Sequence, residues 1–320
     1  MPVYLVDKPL GVTSHGVVAA ARQRLGTRRV GHAGTLDPLA SGVLVLLVDS
    51  STKLSPFLSG SAKHYLAWVA FGAATPTLDA EGPLSEIGDA TQLTLERLAA
   101  ALPPFLELEE QLPPNYSAVK QRGVRGYQAA RRGAPLELPP RPAGYRSIEL
   151  LAFTPSRDML PDTFAVTAAG VWRPHARGIR RELPQALGDF PTALLALEVT
   201  AGTYIRAFAR DLGRALGIPA HLSGLLRTRA GAFGLEQAVP LSELQESQGL
   251  GDAEALPYPL IRLSDTEVRR VRQGQRLTPT FEGRAGLIDS RDELVAVAEN
   301  SGGHMKFLRV WPQERTAARR

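Results

Sequence analysis

Two ionisable side chains in the stretch VGHAGTLDPLASGVLVLLVD, residues 30–49, sit where chemistry could be done: His32 and Asp37. The loop around them holds Gly31, Gly34, Pro38 and Gly42 and runs directly into an unbroken series of Val and Leu at 43–48. A carboxylate fastened to a core strand has little freedom left to lose, which suits a nucleophile or a general base. The same Asp-Pro pair also describes a capping aspartate in a turn, and the residues alone leave both readings open. His32 reads either as a phosphate or base contact or as a loop histidine bonded to backbone. Tyr65 belongs to an apolar row, and its hydroxyl needs a partner if the ring is buried, which an RNA base or an adjoining site could provide. Arg206 starts a row with Arg210 and Arg214 at i, i+4 and i+8, the pattern of a solvated helix face. Its place just inside a helix start is electrostatically uncomfortable for a cation, and an ion pair to a carboxylate such as Asp37 would relieve it.

These side chains must be held by the elements around them. Residues 43–48 read as a strand buried on both faces. Residues 63–71 alternate, with Tyr65, Ala67, Val69 and Phe71 on one side and Leu66, Trp68 and Ala70 on the other, so this strand too is packed on both faces. A short strand at 3–6 ends in a turn at 7–11, and Ser14 is expected to cap a helix running to about Leu25 and closed by Gly26. Arg22, Arg24, Arg28 and Arg29 gather at that helix end, where they suit the dipole or a phosphate. The polar turn GAATPTLDAEG, 72–82, carries Asp79 and Glu81. A helix at 94–102 is stopped by Pro103-Pro104. Strands are expected at 146–153, 163–167 and 195–200, with 155–192 an exposed excursion. Thr203 opens a helix whose stripe is Ile205, Phe208, Leu212 and Leu216. Beyond 249 the periodic pattern fades, which places a domain boundary there. Strand-like runs at 285–289, 294–298 and 306–310 suit a small barrel-like module, and the Arg-rich piece after Pro312 looks frayed.

Composition narrows the function further. The 320 residues include no cysteine, which excludes disulfides, thiolate metal sites and cysteine nucleophiles. The 6 histidines lack metal-ligand spacing, so no metal is expected. No run approaches the roughly 18 apolar residues of a membrane span, and the start MPVYLVDKP lacks signal-peptide order, so the expected location is the cytoplasm. A net charge of +5 hints at an anionic partner. The hint sharpens at 111–146, where Lys120, Arg122, Arg125, Arg131, Arg132, Arg141 and Arg146 face the single acid Glu137, with Tyr116, Tyr127 and Tyr145 between them. Rings among arginines suit gripping an RNA backbone and stacking bases, although a loop with solvated arginines has the same composition.

Long motifs in order then resemble the TruB family of bacterial tRNA pseudouridine-55 synthases. They are DKPLGVTS at 7–14, VGHAGTLDPLASGVL at 30–44, KHYLAWVAFGAATPTLDAEG at 63–82, QLPPNYSAVKQRGVRGYQAARRG at 111–133, AGTYIRAFARDLG at 201–213 and LLRTRAGAFGL at 225–235. The resemblance implies an α+β fold with a mixed, mainly antiparallel central sheet in a catalytic domain over 1–249. It also implies a small PUA-like β-barrel over 250–320. It makes Asp37 the catalytic aspartate, Tyr65 the tyrosine against the target base and Arg206 the aspartate's partner. Lys8 with Pro9, His32, Asp79 and Leu225 match further site positions, and Tyr116, Lys120, Arg131 and Tyr204 lie in the motifs implied to contact RNA. The implied activity is isomerisation of the T-arm uridine at position 55 of tRNA by base flipping, without cofactor, in a monomer with no membrane or obligate protein partner. The alternative is a non-catalytic tRNA-binding or folding chaperone on the same fold, against which the intact Asp37, Tyr65 and Arg206 argue. Two departures stand out: Val199-Thr200 where the family usually has Cys-Ser, and a longer excursion at 155–192.

Overall fold

Runs that are apolar on both faces become the inner strands of one large sheet. The computed structural model describes residues 2–117, 119–121, 124–134 and 136–311. Its main elements are β1 (Pro2–Lys8), α1 (Ser14–Arg24), β2 (Val30–His32), β3 (Ala40–Val48), β4 (Lys63–Phe71), β5 (Tyr145–Thr154), β6 (Thr192–Val199), α2 (Ile205–Leu216), β7 (Ala220–Ala230) and β8 (Val239–Pro240). The strands join a 10-stranded sheet whose main path runs β5-β6-β4-β7-β3-β1-β8. Neighbours along that path are antiparallel except β7 with β3 and β1 with β8, so the sheet is mixed and mainly antiparallel. No helix among the described residues is long and apolar enough to cross a membrane.

The period of two along each strand sorts the core. In β4, Tyr65, Ala67, Val69 and Phe71 join one cluster with Phe208, Leu212 and Leu216 of α2, while Leu66 and Trp68 join the cluster on the opposite face. In β3, Val43, Val45 and Leu47 share that second cluster, whereas Leu44, Leu46 and Val48 pack beneath Val17, Val18 and Ala21 of α1. Burying each Val, Leu or Phe among them stabilises the fold by about 1.5–3 kcal/mol before entropy is counted. α2 ends where Gly217 adopts a left-handed φ of 67°, and the Ile218 N–H bonds back to the Gly213 carbonyl at 2.9 Å.

Several sequence expectations are corrected. The hydroxyl that caps α1 belongs to Thr13, which accepts from the Gly16 N–H, and Ser14 is the first helical residue. β7, the strand beside the site, was not foreseen, because His221, Ser223, Arg227 and Thr228 break its apolar pattern while being buried. Each of the first three finds a backbone acceptor, at Ala73, Trp68 and Val43 respectively. The 155–192 excursion contains a three-stranded sheet of Trp172–Pro174, Thr163–Val166 and Ile179–Arg180, anchored by Phe164 set edge-on against Trp68.

The expected PUA-like barrel is not formed. The strands Leu260–Arg262, Gly283–Ile288, Leu294–Ser301 and His304–Val310 lie in linear order, and among the described residues the first and last do not pair, as closure would require. Both faces of this open sheet are already covered. The helix Asp265–Arg272 packs Val268 and Val271 on one side, and Ile288, Leu294 and Val297 join the main core on the other. That helix was also missed, although its capping box, Ser264 with Glu267, is legible in the sequence. Residues after Trp311 lie outside the described residues.

Candidate active site

The loop from Ala33 to Ser41 is held largely through its backbone. The Ala33 N–H bonds to the Val45 carbonyl at 2.9 Å and the Gly11 N–H to the Pro38 carbonyl at 2.9 Å. The buried Ser14 hydroxyl donates to the Leu36 carbonyl at 2.9 Å and accepts from the Leu36 N–H at 2.8 Å. Arg227 donates to the carbonyls of Gly34, Thr35 and Val43. Gly42 has φ 104°, and a Cβ there would lie 2.2 Å from the Arg227 carbonyl oxygen, so only glycine lets β3 and β7 come this close.

Asp37 stands on that loop, and Arg206 Nε reaches its Oδ2 at 2.8 Å. The other guanidinium nitrogens donate to the Thr77 carbonyl at 3.0 Å and the Tyr116 carbonyl at 2.9 Å, so each of the three nitrogens has an acceptor. Asp79 Oδ2 lies 3.5 Å from Arg206 Nε. The cation near the start of α2 is thus compensated by two carboxylates, which removes the dipole conflict. The exposures differ: the side chain is 8% exposed at Arg206, 3% at Asp79 and 36% at Asp37, so the carboxylate that can meet a substrate is Asp37. Burial pushes the Asp79 carboxyl up, against the opposing pull of Arg206 and a hydrogen bond from Thr77. Burial likewise raises Glu81, further along the same turn, with Asp79 and Asp37 adding to the effect.

Leu36, Leu39, Tyr65, Ile205 and Leu225 belong to one buried apolar cluster, which also takes in the stripe of α2. Leu225 lies opposite Ala40 of β3 and Ala67 of β4, and Tyr65 is opposite Arg227, so the sheet register sets their spacing from the loop. Tyr204 caps α2, its N–H bonded to Gln111 Oε1 at 3.0 Å and its phenol raised by burial. Tyr116 meets Arg206 through its carbonyl.

The remaining candidates are placed differently. Lys8 is fully buried and donates to the carbonyls of Pro9 and Val12, which braces the turn that bonds to Pro38; burial lowers its ammonium to about 8. His32 sets its ring edge-on to His15, with centroids 5.9 Å apart, and burial lowers its imidazole. The side chains of Lys120 and Arg131 lie outside the described residues. A cavity of about 600 Å³ lined by Asp7, Lys8, Arg24, Ser41 and Arg181 shares none of its lining with the Asp37–Arg206 pair. Sequence reading missed Ser14 and Arg227 as supports of the loop. Their signal was present, since both fall inside the quoted motifs, but a supporting contact leaves no pattern of its own.

A chain in the crystal structure of a Cbf5-Nop10-Gar1 complex shares this fold, with a TM-score of 0.65 at 23% identity over 97% of this chain and 84% of that one. The model of the TruB family pseudouridylate synthase N-terminal domain matches residues 22–168, and that of the tRNA pseudouridylate synthase B C-terminal domain matches residues 206–262. The tRNA pseudouridine synthase B of Thermus thermophilus is 54% identical over 315 residues, 98% of this chain and 100% of that protein. The Deinococcus radiodurans protein of the same name is 48% identical over 311 residues, 97% of this chain and 100% of that one. These family models and relatives make the chain a pseudouridylate synthase. Within that class, the chain belongs to the TruB family.

Proposed function

We propose that this chain converts the uridine at position 55 in the T arm of tRNA to pseudouridine, with Asp37 as the reacting carboxylate. TruB-type tRNA pseudouridine synthase activity belongs to the chain by family; the arm, the position and the residue roles are our reading. The reaction breaks the N-glycosidic bond, turns the uracil within the site and rejoins it through carbon 5 to the same ribose, carbon 5 losing a proton and nitrogen 1 gaining one. It asks the protein for a fixed carboxylate, a pocket for an extruded base and a grip on the RNA backbone. The observation that carries the reading is the 2.8 Å contact of a buried guanidinium with a carboxylate that remains 36% exposed.

Asp37 can serve by attack on the anomeric carbon, by addition to the uracil ring or by removal of the C2′ proton. Each route needs its oxygen held in one place, which Arg206 does. The Tyr65 ring and Leu225 would replace part of the stacking that the uridine loses on leaving the folded arm. Arginines of the 111–146 stretch, with Tyr116 and Tyr204, would hold the arm by shape and phosphates, making affinity fall with salt. We read residues 1–249 as the catalytic part and 250–320 as an added RNA-binding module, acting in a single cytoplasmic chain. A binding-only chaperone gains nothing from a guanidinium buried against two carboxylates, an arrangement that costs desolvation.

The test is incubation of the purified chain with an unmodified T-arm hairpin, followed by quantification of pseudouridine. Wild type should form product, and Asp37→Asn should bind the hairpin and form none. Product from Asp37→Asn at the wild-type rate rejects the reading.

A further inference from the structure

Arg227 is 1% exposed, yet among the described residues no carboxylate lies within ion-pair distance of it. A cation buried without a counter-ion is costly, and its compensation here is entirely backbone: Val43 at 2.8 Å, Gly34 at 3.2 Å and Thr35 at 3.3 Å. Those three carbonyls bracket Asp37, two on the entry side of its loop and one on the exit strand. Arg227 also lies opposite Gly42 in the parallel pairing of β7 with β3 and opposite Tyr65 in the antiparallel pairing of β7 with β4. One side chain is therefore in register with two of the elements on which the candidate site depends and bonded to the third.

The chemistry of the group matters. A guanidinium offers five donors in a rigid plane, enough to meet three acceptors that lie in different directions; an ammonium is a single point on a flexible stem. An apolar isostere would remove the desolvation cost and leave all three carbonyls to be satisfied elsewhere. The charge is felt nearby as well: after burial, Arg227 is what lowers the Lys63 ammonium to about 8.

We propose that Arg227 is a positioning residue for the isomerisation, its three carbonyl bonds setting the height and tilt of the loop and thereby where Asp37 stands relative to Arg206 and Tyr65. This rests on the reading of Asp37 as the reacting carboxylate. Arg227 touches no reacting atom; it acts through the loop. Its loss should therefore slow the chemical step while leaving RNA affinity in place.

The experiment compares Arg227→Met and Arg227→Lys with wild type and Asp37→Asn. It measures the thermal midpoint, hairpin affinity, and the single-turnover rate at saturating hairpin well below the midpoint. For folded Arg227→Met we expect unchanged affinity and a single-turnover rate about 10²-fold lower, the scale of an ångström-sized misplacement. Arg227→Lys should recover part of that rate. A folded Arg227→Met that turns over at the wild-type rate overturns the proposal. So does a rate loss that merely tracks the folded fraction, or failure of both variants to fold, since each would make Arg227 a stability element alone. Full activity in Asp37→Asn would instead sink the reading of Asp37, an outcome separate from those at Arg227.

Discussion

Removing Arg206 should separate what the ion pair does for stability from what it does for chemistry. In Arg206→Met, Asp79, 3% exposed, is left buried beside Asp37 with no cation between them. Breaking a buried pair by removing one partner costs about 3–5 kcal/mol. Asp37 keeps access to water and should contribute the smaller share, since exposed pairs are worth about 0–1 kcal/mol. Most of the loss should therefore trace to Asp79, together with the freed carbonyls of Thr77 and Tyr116. Arg206→Lys retains a charge but cannot hold Asp37 and both carbonyls at once, and should cost about 1–3 kcal/mol. Urea unfolding with an unchanged slope measures each figure. Adding Asp79→Asn to Arg206→Met removes the stranded charge, and should return at least about 1.5 kcal/mol, the value of relieving one buried charge. It should return no activity, because Asp37 stays unguided. If Arg206→Met is as stable as wild type, or if Asp79→Asn does nothing in that background, the account of the pair is wrong.

Gly42→Ala should cost about 3 kcal/mol or more, combining the unfavourable φ of 104° with a Cβ 2.2 Å from the Arg227 carbonyl oxygen. Gly60→Ala, where a Cβ meets nothing within 4 Å, is the matched control, and equal thermal midpoints for the two variants would contradict the packing argument. His32, His64 and His221 are all lowered by burial below their ordinary 6.5. The unfolded chain then takes up these protons first, so their stability contribution is complete above about pH 6.5 and is lost as pH falls below it. Asp79 and Glu81, raised by burial, titrate in the opposite sense, so the measurement is the fall in urea midpoint from pH 7.5 to 5.5 in wild type against His221→Gln. The variant should fall less; a steeper fall would refute the sign.

Strands with one unbroken signal were readable in advance. Residues 63–71 alternate without interruption and became β4 with those bounds, and the stripe of Ile205, Phe208, Leu212 and Leu216 became the buried face of α2. β7 was not, because its inner positions include His221, Ser223 and Arg227, whose cost of burial is met by carbonyls from distant parts of the chain. The open C-terminal sheet was misread for a related reason. Strand spacing describes each strand, whereas closure depends on whether the faces are already covered, and here a helix and the main core cover them.

The amino-acid order alone determined which residues were candidates: the carboxylate at 37 on a glycine-rich loop, the ring at 65, the cation at a helix start at 206, and the family to which their motifs belong. Three-dimensional packing decided what those candidates touch. By spacing alone Arg206 reads as part of a solvated row with Arg210 and Arg214, and it is buried because folding brings Asp37, Asp79 and the carbonyls of Thr77 and Tyr116 around it. The reason is physical: local periodicity is set by neighbours a few residues apart, but the desolvation of a charge is repaid only by partners that folding delivers from elsewhere in the chain.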